Sequence, residues 1–131
     1  MKLRIRGNSL RVRLTRSEIT ELVETCVIEN RVQLGAQPEC ALVYRLELSG
    51  AVAKPETVFQ QSQIRIRLPL AAAMAWAHGQ GIGIYGEEAW GLKLAIEKDF
   101  KCLEPRPGED ESDAFENPNG GSHAACAADA D

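Results

Sequence analysis

Aromatic side chains supply only 5% of this 131-residue chain. With so few stacking platforms, single-stranded nucleic acid is a poor partner. No apolar run approaches the roughly 20 residues that cross a bilayer as a helix. The opening residues alternate charged and apolar side chains and do not form the apolar stretch of a secretory leader. A cytoplasmic protein with no membrane partner is therefore expected. The four cysteines, Cys26, Cys40, Cys102 and Cys126, contain no CxxC pair, which excludes the strong zinc signatures and leaves free thiols as the expectation. There is no GxGxxG, no phosphate loop with its Lys-Ser/Thr, no HExxH and no GxSxG, so the chemistry those motifs carry is not indicated. A cysteine nucleophile at Cys102 would need a base, and only His78 and His123 exist, neither linked to it by spacing.

Acid is missing from one end and concentrated at the other. Residues 1–16 hold six bases and no acid, whereas residues 104–131 carry a formal charge of −7 and the whole chain −4. The acidic balance disfavours double-stranded DNA as a partner but leaves room for a local basic site.

What the opening does have is period two. In "MKLRIRGNSLRVRL", Leu3 and Ile5 alternate with Lys2, Arg4 and Arg6, and Leu10, Val12 and Leu14 alternate with Arg11 and Arg13. Gly7-Asn8 between them suits a type II′ hairpin turn. That register sets Arg6 against Ser9, Ile5 against Leu10, Arg4 against Arg11, Leu3 against Val12 and Lys2 against Arg13. One face becomes apolar and the other basic, and a one-residue slip would spoil both. Like charges across a ladder destabilise it, so an anion is expected over this face. The "GEDESD" segment near the C-terminus is the expected source, with a partner molecule as the alternative.

Further along, Thr15 and Glu18 stand at capping-box spacing before Ile19, Leu22, Val23 and Cys26, which predicts a short amphipathic helix near 16–26 with Cys26 buried. "CALVYRLELSG" reads as a strand with Leu42, Tyr44, Leu46 and Leu48 on one face. "AVAKPET" reads as a connection. "SQIRIRLP" reads as a strand with Ile64, Ile66 and Leu68 inward. Pro69 and Gly79 bracket a second helix whose core face is Leu70, Met74 and Ala77. "GIGIYG" and "WGLKLAIEKDF" predict two more strands, joined by a turn at Gly86–Ala89, with Glu97 and Asp99 facing solvent.

These elements predict an α+β fold. Its antiparallel or mixed curved sheet, possibly a partly closed barrel, carries two short helices and an acidic, poorly structured C-terminal tail. One domain is expected over 1–118, with the acidic extension beginning at 104, Phe115 as its anchor, and a flexible tail at 119–131. "MKLRIRGNSLRVRLTRSE" and "EKDFKCLEPRPGEDESDAFENP" together resemble a small family of uncharacterised bacterial proteins. The resemblance extends up to Pro118 and brings no catalytic or binding residues with it.

Three strands share one motif, "LRIR", "LRVRL" and "IRIRL". Were they neighbours, Arg4, Arg6, Arg11, Arg13, Arg65 and Arg67 would form one guanidinium face suited to phosphate or carboxylate. The expected function is a non-catalytic anion-binding or protein-interaction module, its partner a small anionic ligand or a protein. The alternative is a metal-dependent enzyme acting on a phosphorylated or polyphosphate substrate, with Glu97 and Asp99 supplying the acids. Cys102, His123 and Cys126 are weak zinc candidates, since "HAAC" has acceptable local spacing but no second close pair. The acids of "EDESD" do not match an EF-hand loop. No cofactor is implied.

Overall fold

The computed structural model describes residues 1–100 and 112–116. Strand β1 (Lys2–Arg6) turns into β2 (Ser9–Leu14) in the predicted register, Lys2 opposite Arg13 and Arg4 opposite Arg11. Gly7 takes the left-handed backbone that the turn needs, at φ 54°.

Helix α1 (Arg16–Thr25) starts on a complete capping box. The Thr15 N–H donates to Glu18 Oε1 at 2.9 Å, and the Glu18 N–H donates to Thr15 Oγ1 at 3.4 Å. Ile19 and Leu22 face the core. Cys26 does not. It is the C-cap residue at φ 64°, its N–H bonded to the Leu22 carbonyl, and its thiol is exposed. The left-handed cap swings the side chain out of the helical stripe, which corrects the buried position expected for it.

Strands β3 (Val27–Gln33), β4 (Ala41–Ser49), β5 (Glu56–Gln60) and β6 (Gln63–Pro69) follow. Strand β5 lies where the sequence suggested mainly a connection. Its turn into β6 is made by Gln61 and Ser62, both at positive φ, without the Asn or Gly that usually announces such a turn. Helix α2 (Leu70–His78) begins after Pro69 and stops at Gly79. Ala73 and Trp76 are its buried residues, while Leu70, Met74 and Ala77 are only partly buried against the core. Strands β7 (Gly83–Glu87) and β8 (Lys93–Lys98) end the chain's regular structure among the described residues. Their connection closes through Glu88, whose N–H reaches the Leu92 carbonyl, and it begins two residues later than the predicted Gly86–Ala89 turn because Gly86 and Glu87 still pair with β8.

The strands form two sheets. One has the order β1-β2-β8-β7 and the other β3-β4-β6-β5. Each joins two antiparallel pairs through a parallel central pair, β2 with β8 and β4 with β6. Among the described residues neither sheet closes, because β1 and β7 are the edges of the first, and β3 and β5 of the second. The α+β class with mixed pairing and two helices therefore stands. The single curved sheet or partly closed barrel is corrected to two open sheets, since edge strands without partners cannot complete a barrel.

The inner faces of both sheets and the two helices share one core, in which Leu14, Leu22, Leu46, Leu68 and Ile96 are almost wholly buried. Lys98 also lies on that inner side. Its Nζ donates to the Gly79 carbonyl at 2.9 Å and sits 5.4 Å from the centre of the Phe115 ring. Phe115 packs on the core, meets the Phe100 ring edge-on at 6.0 Å and donates its N–H to the Asp99 carbonyl. Among the described residues no helix is long and apolar enough to cross a membrane.

Candidate anion-binding face

Pairing register determines which side chains stand together on the outer face of the first sheet. Crossing from β1 to β7, one row reads Arg6, Ser9, Lys93, Glu87. The next reads Arg4, Arg11, Ala95, Tyr85, and the third Lys2, Arg13, Glu97, Gly83. The middle strands contribute their smallest outward residues, Ser9 and Ala95, between long side chains on either side. The result is a trough of about 690 Å³. Arg4, Arg6 and Arg11 line it from one side, and Tyr85, Glu87 and Lys93 from the other.

The third row holds the compensating acid. Glu97 Oε1 is 3.3 Å from Arg11 Nε and 3.7 Å from Arg13 Nε, while Oε2 accepts a 2.7 Å hydrogen bond from the Tyr85 hydroxyl. Burial pulls the Arg13 guanidinium below its ordinary range, against the attraction of Glu97. Burial, followed by the hydrogen bond to Glu97, pushes the Tyr85 phenol up to about 12. Tyr85 therefore stays a neutral donor. Gly83 makes this arrangement possible, because a Cβ there would fall 2.9 Å from Glu97 Cγ and 2.9 Å from the Tyr85 oxygen. Asp99 is buried, contrary to the solvent-facing position expected of it, and reaches Lys2 at 3.1 Å. Strand β8 thus answers part of the hairpin's like-charge problem.

Arg65 and Arg67 are elsewhere. They lie on β6, in the second sheet, so the six arginines do not share one face. Arg67 lies between Glu47 and Glu56 in its row, whereas Arg65 lies between Arg45 and Val58 and reaches Glu47 diagonally. Glu47 Oε1 is 3.0 Å from Arg65 and 3.9 Å from Arg67, and Glu56 is 3.0 Å from Arg67. Glu47 Oε2 also lies 2.7 Å from Arg45 Nε, close enough for attraction but not aligned as a hydrogen bond. The hollow beside these groups, about 370 Å³, is lined by arginines that an acid already answers.

Of the acidic segment expected to cover the hairpin, Glu109, Asp110 and Glu111 lie outside the described residues, as do Cys102, His123 and Cys126. Asp113 is described, and it meets a different element. Its carboxylate accepts from the Ser17 N–H and hydroxyl, and its carbonyl accepts from the Arg16 N–H, at the first turn of α1. The Ser17 hydrogen bond holds the Asp113 carboxyl below its ordinary value. Among the described residues no three His, Cys, Asp or Glu side chains cluster as a metal site would require. Glu97 and Asp99, the acids the metal-dependent reading relied on, are engaged by Arg11, Arg13 and Lys2.

Sequence reasoning missed Ala95, Lys93 and Tyr85 as parts of this face. The signal was there in "KLAIEK", where one small residue takes an outward position between two charged ones.

Fold and site define a small α+β domain of two open mixed sheets with a cationic trough on one outer face. The chain belongs to the Family of unknown function (DUF7009), whose pattern matches residues 1–119. No curated protein and no solved structure matches it.

Proposed function

We propose that this domain binds a small anionic ligand in the trough of the first sheet. One observation carries the reading. Arg6, Arg11 and Lys93 line a single concavity whose floor is small side chains, so their charges converge on a recess. Recesses of roughly 300–1,000 Å³ are the usual size for small-ligand sites. Guanidinium groups suit phosphate and carboxylate oxygens, to which they donate in pairs. Among the described residues Arg6 has no carboxylate within ion-pair distance, while Arg11 shares Glu97 with Arg13. Among the described residues, therefore, acids answer Arg11 only through a shared carboxylate and do not reach Arg6. This separates the trough from the second sheet, where Glu47 and Glu56 answer Arg65 and Arg67.

The test is calorimetric titration with inorganic pyrophosphate at low ionic strength. Saturable binding is expected, weakening as salt is added and lost in Arg6→Glu and in Lys93→Glu. Arg65→Glu should bind as the unaltered protein does, provided it folds. Absence of binding to the unaltered protein, or equal binding by all variants, would overturn the reading.

A further inference from the structure

A bare phosphate would occupy only a small part of a trough of about 690 Å³, and the wall opposite the arginines is not what a bare phosphate needs. That wall is Tyr85. Its side chain is 57% exposed although its hydroxyl is tied down. The hydroxyl lies 2.9 Å from where a Cβ of Gly83 would stand, two residues back on the same strand. The ring is therefore laid back along β7 over Gly83, where a side chain would have propped it upright. Its direction is held by the bond to Glu97, and Glu97 is held by Arg11 and Arg13. Next to it, Ala95 offers only a methyl, so no long side chain crowds a flat group lying over the sheet. A pre-positioned, exposed aromatic ring loses little freedom when a second ring stacks on it.

Resting on the anion-binding reading above, we propose that the ligand is a phosphorylated compound carrying a flat ring. Tyr85 takes the ring, and Arg6, Arg11 and Lys93 take the phosphate. A nucleoside monophosphate has this chemistry. Stacking is tolerant of base identity because every base presents a π-face. The trough should therefore discriminate by the presence of the ring more than by its substituents.

The experiment compares adenosine monophosphate, uridine monophosphate, adenosine and inorganic phosphate by equilibrium titration at low ionic strength. Against the unaltered protein, both monophosphates should bind about tenfold more tightly than phosphate, from the stacking contribution, and adenosine should bind much more weakly than either. Tyr85→Ala should abolish the preference for the monophosphates over phosphate, read as the ratio of the two affinities, and Tyr85→Phe should keep most of it. Monophosphates no tighter than phosphate, or a Tyr85→Ala variant that weakens both in parallel, would overturn the ring assignment and leave the anion reading standing. If neither phosphate nor the monophosphates bind, both readings fall together. Melting temperatures of the two variants, matched to the parent, establish that folding is not the cause.

Discussion

The Tyr85 hydroxyl donates to Glu97 across the β7–β8 pair at 2.7 Å, and the same carboxylate lies against Arg11 and Arg13 of β2. A phenol, a carboxylate and two guanidinium groups from three adjacent strands thus form one chain of contacts. Nothing in it is close in sequence except the two arginines.

That chain has a spectroscopic consequence. The chain's only tyrosines are Tyr44 and Tyr85, and both phenols are raised, Tyr85 to about 12 and Tyr44 by burial and the nearby Glu18 charge. In a Tyr44→Phe background, ultraviolet titration should show little phenolate at pH 10 and a midpoint near 12. A folded-state value above the unfolded one means this contribution to stability is complete below pH 10 and fades as pH rises towards 12. Glu97→Gln should move the midpoint downwards. An unshifted midpoint in that variant would show that burial alone sets it.

Gly83→Ala probes the same contact from the backbone side. The added methyl would meet Ile96 O at 2.8 Å as well as Glu97 and the Tyr85 oxygen. A cost of about 1–3 kcal/mol is expected from overpacking, together with a lower Tyr85 midpoint as the hydrogen bond is forced apart. Chemical denaturation and the same titration measure the two effects.

At the start of α1, Thr15→Ala should cost about 1 kcal/mol, the usual worth of an N-cap. Glu18 adds a pH dependence. Burial would by itself raise its carboxyl, but the amino-terminal ammonium hydrogen bond, the Thr15 N–H and the ammonium's charge outweigh it and hold it low. With a folded value below the ordinary 4.5, its stabilisation is complete above that pH and is lost as pH falls through the lower folded value. Glu18→Gln should flatten that limb of the acid-unfolding curve. A limb of unchanged steepness would assign it to other carboxylates.

Removing Glu47 should cost far more stability than removing Arg6. Glu47→Ala leaves Arg45, Arg65 and Arg67 crowded without their shared acid. A loss of about 1–3 kcal/mol is expected, partly recovered at high salt, where screening weakens the repulsion. Arg6→Ala should change stability by no more than about 0.5 kcal/mol, as an exposed surface change does. Urea midpoints at low and high salt provide the comparison.

Phe115→Ala should detach the described part of the C-terminal segment. The ring packs on the core, on Phe100 and below Lys98. A loss of up to about 2 kcal/mol is expected for a partly buried ring of this size, with hydrogen exchange accelerated at the Phe115 and Arg16 amides, which bond to Asp99 and Asp113.

Much of the local structure was legible in the sequence alone. Alternation of apolar and basic residues determined the β1–β2 register, and Arg4 stands opposite Arg11 as that register requires. Thr15 and Glu18 announced the cap of α1, and Pro69 and Gly79 bounded α2. Each of these is a short-range relation, carried by φ preference, hydrogen-bond reach or a period along the chain. Which strands became neighbours was not of that kind. "LRIR" in β1 and "IRIR" in β6 are nearly the same pattern, yet one faces the trough and the other faces Glu47 and Glu56. Alternation tells which side of a strand is wet and is silent about what lies beside it. The parallel pairing of β2 with β8 joins opposite ends of the chain and sets Glu97 beside Arg13, Ala95 beside Arg11 and, through β7, Tyr85 over Gly83. The basic strand was written in the sequence. The recess that makes its charge converge exists only because the two hairpins meet edge to edge.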